Sequence, residues 1–394
     1  MDMTHREILL LAFSAAIVTA NAYYIHPIIG SVAHTFDVSV GAVGIIPALN
    51  QLALALGVLL LLPLGDLVDN RKLVAFCLTS QVLSLVVMAL AQDMVVFLTA
   101  STLLGFFTIT PYLLPAYASR RTGPGRLGFV TAVLTAGVIA GVQASRLISG
   151  VVGEYVDWRG VYWLAAGLMA VAAIALPRIM VKEERQPEGP SYLGLLATMG
   201  KLAFTHRRVM ASGSIQGLNF GGFIAIWLGI SLHLTSDEMG HGSDLVGYLT
   251  AFGAIGLITT ASLGRWADRV GAERARVIMA LIQFTAITTL ALAGAKWWYL
   301  LVPLAVMSMV GPLVDVTGRM VALRVAPAVR TRLMSLYIAL MFLGGGVGSW
   351  SGTLAYEMGG WQGSVLLVAS ISLVVCGLSI REWMRSRQPN PVQI

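Results

Sequence analysis

Apolar stretches close to the roughly 20 residues that carry a helix across a bilayer follow one another along the chain, separated by short polar breaks. They are read at 7–29, 41–63, 72–92, 95–117, 126–152, 160–180, 207–232, 244–264, 275–294, 297–324, 331–356 and 361–382. Each run is predominantly apolar along its length, whereas a barrel strand would alternate over only about 10 residues. A segment in lipid must satisfy its own backbone hydrogen bonds, and a helix does so without a neighbour. The pattern predicts an all-α membrane protein with twelve transmembrane helices.

Composition agrees. Hydrophobic residues make up 57% of the chain and charged residues 11%, with a mean hydropathy of +0.80, which leaves too little polar surface for a water-soluble domain. The charges then orient the chain. An even number of spans puts both termini on one side. With that side cytoplasmic, 22 of the 26 Lys and Arg residues lie inside (26 less Arg159 and Lys296 in outer loops and Arg146 and Arg319 within spans), as the positive-inside rule requires. The net charge of +7 thus reflects topology and attraction to an anionic inner leaflet. Without a basic stripe bearing interleaved aromatics, no nucleic-acid partner is expected. Cys77 and Cys376 fall within spans, so neither a disulfide framework nor a metal cluster is expected. The start, with an apolar run from Ile8 to Val18 and an Ala20-Asn21-Ala22 triplet, imitates a cleavable signal peptide. Its apolar character continues through Tyr23, Tyr24 and Ile29, and its removal would leave eleven spans, so it is expected to remain as span one.

The spans form two sets of six. Gly65-Asp66-Leu67-Val68-Asp69-Asn70-Arg71-Lys72 and Gly264-Arg265-Trp266-Ala267-Asp268-Arg269-Val270-Gly271 begin 264 − 65 = 199 positions apart. Trp158 after span five and Trp361 after span eleven lie 361 − 158 = 203 apart in similar Gly-bearing turns. Between the halves runs the charged, Pro-bearing Lys182-Glu183-Glu184-Arg185-Gln186-Pro187-Glu188-Gly189-Pro190. The predicted organisation is an N-terminal six-helix bundle at 1–181, a cytoplasmic linker at 182–206, a C-terminal six-helix bundle at 207–384 and a cytoplasmic tail at 385–394. Parallel repeats imply two pseudo-symmetric bundles with a substrate site near the midplane.

On these residues the chain resembles the major facilitator superfamily over essentially its whole length. The family's loop signature has the form Gly-x-x-x-Asp-Arg-x-Gly-Arg-Arg. Gly264, Asp268, Arg269 and Gly271 match it, while the first copy keeps Gly65 and Asp69 but has Asn70-Arg71-Lys72 and lacks the second Gly. Tyr23-Tyr24-Ile25-His26-Pro27, Pro63-Leu64-Gly65-Asp66 and Arg330-Thr331-Arg332-Leu333 leading into Gly344-Gly345-Gly346 and Gly348 are similar to bacterial drug and sugar efflux proteins of the arabinose-efflux and multidrug:proton antiporter type. The resemblance implies two rocking six-helix bundles, a monomer, and residence in the bacterial inner membrane with both termini cytoplasmic.

Candidate site residues follow from charge and polarity within spans. Gating is expected of Gly65, Asp69, Arg71, Gly264, Asp268, Arg269 and Gly271, where Gly permits close helix approach and the charges pair at the cytoplasmic mouth. Arg146, costly in a span unless it faces protein or water, is either a gate residue or part of a fixed network with Glu154 or a backbone carbonyl. Gly128, Gly137 and Gly141 in span five begin like an antiporter motif of the superfamily but continue with Val142, Ser145 and Arg146, so a small-residue packing seam is preferred. Asp315, the one carboxylate deep in a span, has Arg319 at i+4. By resemblance span ten lines the cavity, making the pair the candidate for proton coupling, with a permanent ion pair as the alternative. His26 has the type of side chain that titrates near neutral pH, but its place close to the outer end beside Pro27 also suits a solvated helix terminus, which is preferred.

Substrate contacts are expected from Asn21, Tyr23, Tyr24, Tyr112, Gln216 and Asn219, uncharged hydrogen-bonding and aromatic groups that suit a neutral or weakly charged amphipathic molecule. Asn50, Gln51, Gln143 and Tyr337 are placed at the bundle interface, and Pro111 and Pro115 are expected to kink span four. The glycines at 344–348 lack the Lys and strand of a phosphate-binding loop, and no catalytic constellation shares a helix face. The expected function is secondary transport, proton-coupled export of a small organic compound without a cofactor. A proton symporter for uptake, a uniporter and a ligand receptor without turnover share the same features.

Overall fold

A computed structural model describes residues 3–182, 191–291, 296–323 and 327–387, and among them all regular structure is helical. Residues 183–190 of the predicted linker, Arg324 and residues 388–394 of the predicted tail lie outside the described residues. Span one is α1 (His5–Ala20) and α2 (Ile25–Thr35), and span two is α3 (Val40–Val43), α4 (Ile45–Leu60) and a 3₁₀ turn at Leu62–Asp66. Span three is α5 (Asn70–Leu90), span four α6 (Met94–Phe107) and α7 (Thr110–Arg120), and spans five and six are α8 (Pro124–Tyr155) and α9 (Trp158–Ile179). The predicted linker ends in a helix, α10 (Tyr192–Thr205), ahead of span seven, α11 (Arg207–Leu234). Span eight is α12 (Ser243–Leu249) and α13 (Gly253–Val270), spans nine and ten are α14 (Ala272–Thr289) and α15 (Leu301–Leu323), and the last two run together as α16 (Pro327–Ser386).

Nine of the described helical runs are long and apolar enough to cross a membrane, and one of them, Val329–Ser386, is twice the usual length. It bends at Gly360, whose φ of 57° is left-handed and suited to glycine, so it holds two spans. The remaining two predicted spans are α12 with α13, and α14, which carry Arg265, Asp268, Arg269, Arg274 and Arg276 near their shared loop. The sum, 9 + 1 + 2, is the twelve expected.

The chain divides into two compact units, one of Met1–Thr198 with Ile230–Ala251, the other of Met199–Gly229 with Phe252–Ile394. Inside the first, α1 packs on α8, α4 on α6 and α5 on α9. Gly137 and Gly141 lie against the backbone of Ala12 and Ala16, and Gly57 and Gly105 against Phe106 and Asn50, so closely that a Cβ would overlap main-chain atoms. In lipid, such van der Waals approach replaces the hydrophobic drive that assembles helices in water. Inside the second unit, Gly217 and Gly221 of α11 meet Gly344 and Gly348 of α16, Gly256 of α13 meets Ser308 of α15, and α14 packs on α15 and α16. Spans one and five, two and four, three and six thus recur as seven and eleven, eight and ten, nine and twelve.

The Trp repeat also has a structural role in each unit. Trp158, the first residue of α9, donates its indole N–H to Thr35 at 2.9 Å. Trp361, just beyond the Gly360 bend, donates to the Leu290 carbonyl at 3.0 Å. Each Trp pins the start of the closing helix of its half.

Candidate transport site

Asp315 and Arg319 share one face of α15, as their i+4 spacing requires. The Arg319 Nε lies 2.9 Å from both carboxylate oxygens, and the side chains keep 25% and 34% of their exposure. From α16, the Tyr337 hydroxyl adds a third contact at 3.0 Å. Gly318 makes room for this: a Cβ there would stand 3.1 Å from the Tyr337 ring. On the neighbouring α14, Arg276 is 1% exposed and donates to the Ser212 hydroxyl of α11 at 3.0 Å. Counted above with the cytoplasmic cations at the start of the span read at 275–294, Arg276 is a buried member of the helix.

Arg146 is fully buried in α8. Its Nη2 lies 3.1 Å from the His26 Nδ1 of α2, and its guanidinium carbon lies 5.3 Å from the centre of the Tyr23 ring. Glu154, the acid considered as its partner, instead accepts from the Ser243 backbone N–H at 2.8 Å. The reading of His26 as a solvated terminus is corrected: the side chain is 1% exposed, because α2 starts after an intramembrane break and buries its first turn against α8.

Around this pair the Ile230–Ala251 segment is seated on first-half helices of the same unit. Ser231 donates to the Pro27 carbonyl at 3.2 Å, Ser243 to the Gly150 carbonyl at 2.9 Å and Gln143 to the Thr250 carbonyl at 2.8 Å. Ser149 donates to the Tyr24 carbonyl, which is freed where span one breaks between α1 and α2.

The six residues expected to touch substrate occupy two buried polar clusters and their edges. In the first unit, Asn21 donates from its Nδ2 to Gln81 at 3.1 Å, and Gln81 Nε2 donates to the Phe107 carbonyl at 3.0 Å. That carbonyl ends α6, with two residues between it and α7, and also accepts from the Ile109 N–H at 2.9 Å. Pro111, in the first turn of α7, lacks the N–H that would reach back to Phe107, so span four breaks there as expected of Pro111 and the carbonyl is satisfied inside the bundle. Tyr23 and Tyr24 are buried beside this break, and Tyr112 is half-buried on α7. In the second unit, Asn219 donates to Gln216 at 3.3 Å and accepts from Gln283 at 2.9 Å. Gln81 and Gln283, on spans three and nine, were not singled out from the sequence. Their equivalent places in the two halves were the available signal. Asn50 is also engaged, donating to the Ser101 carbonyl at 2.7 Å.

The repeated loop signature is locally explained in its first copy. A Cβ on Gly65 would lie 3.3 Å from Leu113 of α7, and Asp69 caps α5 by accepting from the Arg71 N–H at 3.0 Å, in the position where acidic caps complement a helix dipole. Arg71 itself is exposed. In the second copy, such a Cβ on Gly264 meets no atom of the described residues within 4 Å. Gly271 joins α13 to α14 with a φ of 91°, while Asp268 and Arg269 are exposed in the last turn of α13. In span five, Gly137 and Gly141 form the expected seam, whereas a Cβ on Gly128 meets nothing among the described residues within 4 Å.

Comparison with known proteins gives a consistent picture. The family model described as Major Facilitator Superfamily matches residues 11–212 and again 209–393. The uncharacterized transporter YgaY of Escherichia coli is 26% identical over 95% of this chain and 94% of its own. The probable transporter SCO4007 of Streptomyces coelicolor is 30% identical over 93% of this chain and 85% of its own. Among solved structures, the nucleoside transporter NupG aligns with a TM-score of 0.75 at 14% identity, covering 96% of this chain and 99% of its own. A bacterial homologue of the human lysosomal transporter Spinster aligns with a TM-score of 0.73 at 13% identity, covering 98% of both chains.

Proposed function

This chain belongs to the major facilitator superfamily, and from that premise we propose that it is a proton-coupled exporter of a small amphipathic organic compound, drug-like or sugar-like, working by alternating access. It is a membrane transporter of that class, not an enzyme. The observation that supports proton coupling is the Asp315 carboxylate, whose charge is answered by Arg319 and Tyr337 while a quarter of the side chain stays exposed. Proton uptake and release follow the breaking and making of the Arg319 contact. Substrate recognition falls to Asn21, Tyr23, Tyr24, Tyr112, Gln216 and Asn219, whose uncharged polar and aromatic groups fit a neutral or weakly charged cargo. Gly65, Asp69, Arg71, Gly264, Asp268, Arg269 and Gly271 act in the gate on the terminal side, and Arg146 in the gate opposite. The proposed setting is a bacterial inner membrane, with the chain a monomer and both termini cytoplasmic, in keeping with the placement of Lys and Arg.

The test is efflux of a panel of dyes and candidate metabolites from cells expressing the chain, with and without a protonophore, beside the Asp315→Asn variant. Proton-driven export through Asp315 requires extrusion to fail under both treatments. A second reading, a uniporter with Asp315 and Arg319 as a fixed strut, is favoured by one feature: both partners sit on one helix, so no movement between helices need open the pair. In that case extrusion survives both treatments.

A further inference from the structure

Arg146 can only donate hydrogen bonds, so the His26 Nδ1 that lies 3.1 Å from its Nη2 must be an acceptor. The imidazole is therefore neutral, with its hydrogen on Nε2. That Nε2 is buried and has no hydrogen-bond partner among the described residues. A second proton can enter the ring only on Nδ1, where it would replace the accepted hydrogen bond with two cations in contact. A protonated His26 and the observed Arg146 geometry exclude one another.

Other ionisable groups stand on the elements packed around α2. The His26 contacts among the described residues come from Arg146 and from the Tyr23 ring, centred 5.4 Å away. On α8, Glu154 serves Ser243, and Tyr155 donates to Asp244 of α12. On α9, Arg159 donates to the Ala91 carbonyl, while Tyr162 packs on Phe97. Tyr248 of α12 and His34 of α2 are exposed, and α3 carries no ionisable group. His233 lies on the buried end of α11, two residues past Ser231.

The pair also sits where its loss matters. His26 is next to Pro27, whose carbonyl receives Ser231, and Arg146 is one turn from Gly150, whose carbonyl receives Ser243. The contact thus fixes α2 against α8 at the seat for the end of α11 and for α12. In the orientation proposed above, this seat is on the outer side.

We propose that His26 is a proton-binding site whose occupation separates α2 from α8 and unseats Ser231 and Ser243 on the outer side. The inference rests on the transporter reading but not on Asp315. It assigns to the first half a proton site without a carboxylate, to which a proton arriving from outside binds as the outer side opens.

The experiment reads accessibility instead of transport. In a chain carrying Cys77→Ser and Cys376→Ser, Ser231→Cys places a reporter thiol in the seat. A membrane-impermeant maleimide is applied from outside between pH 8 and pH 5, with each rate divided by that of the exposed Ser31→Cys control. The corrected rate should rise about tenfold as pH falls. With His26→Gln, whose side-chain oxygen can still accept from Arg146 but does not titrate, it should stay flat. Arg146→Gln removes the competing cation and should move the rise upward by about one pH unit; this reading stands even if His26→Gln fails to reach the membrane. A flat parent rate, or an equal rise in His26→Gln, overturns the proposal. Protonophore-insensitive efflux alongside the expected labelling would instead remove proton-driven export and leave the His26 site standing.

Discussion

The hydroxyl of Tyr337 stands 3.0 Å from a carboxylate oxygen of Asp315 and 3.1 Å from that residue's own carbonyl, so α16 reads the state of the α15 ion pair directly. Gly318 is what lets the ring in. Tyr337→Phe keeps the ring and removes a hydrogen bond worth about 1 kcal/mol, less where solvent reaches the pair. Gly318→Val forces the ring aside at about 1–3 kcal/mol. The expected result is a small fall in the thermal unfolding midpoint in detergent for the first and a larger one for the second. Equal midpoints would mean the ring can move freely without strain.

Gly141 and Gly128 stand on one helix with opposite surroundings. Gly141→Leu drives a side chain into the Ala16 backbone, and separating α1 from α8 should cost about 2–4 kcal/mol or prevent folding. Gly128→Ala meets nothing within 4 Å and should stabilise by up to about 1 kcal/mol through helix propensity. Midpoints measured by dye-monitored unfolding decide both. A loss at Gly128 would place an unseen neighbour there.

Asp69 combines a cap with a charge in the loop signature. Asp69→Asn keeps an acceptor for the Arg71 N–H and removes the charge, whereas Asp69→Ala removes both and should cost about 1 kcal/mol through the lost cap. Transport with the Asn variant separates the two roles. If the residue acts in the gate, transport falls while the unfolding midpoint stays; if it is only a cap, the Asn variant transports normally.

The span pattern was readable because lipid imposes it: long, predominantly apolar runs and sorted Lys and Arg residues determine helices and their number. The repeat was readable for a similar reason, since Gly65 and Gly264, or Trp158 and Trp361, recur at matched offsets. Hidden were the helix breaks and the depth of single residues. His26 is the second residue of α2, after four turn residues, Asn21 to Tyr24, that follow α1, and nothing in the local sequence says that the helix resumes inside the bundle. Arg276 resembles its neighbours Arg274 and Arg269, yet a helix beginning at Ala272 turns it toward Ser212. Asn21 and Asn219 were visible as polar interruptions, but their partners Gln81 and Gln283 depend on which spans pack together.

Those partners lead to a prediction that separates substrate contact from helix bracing. Asn219 links Gln216 to Gln283, and Asn21 links span one to Gln81. Truncating either to Ala removes a partner from a buried amide, at about 1–3 kcal/mol for Gln283 and less for Gln81, whose oxygen still accepts from Thr108 at 3.3 Å. If the groups only brace helices, Asn219→Ala and Asn21→Ala lower the unfolding midpoint, while the KM of the surviving protein is unchanged. If they also meet the cargo, KM rises severalfold once stability is restored by working at lower temperature. Comparing the two halves adds a control, since the clusters occupy matching spans. A cargo bound by one half alone raises KM for one variant only, and the affected half then names the element on which the recognition surface lies.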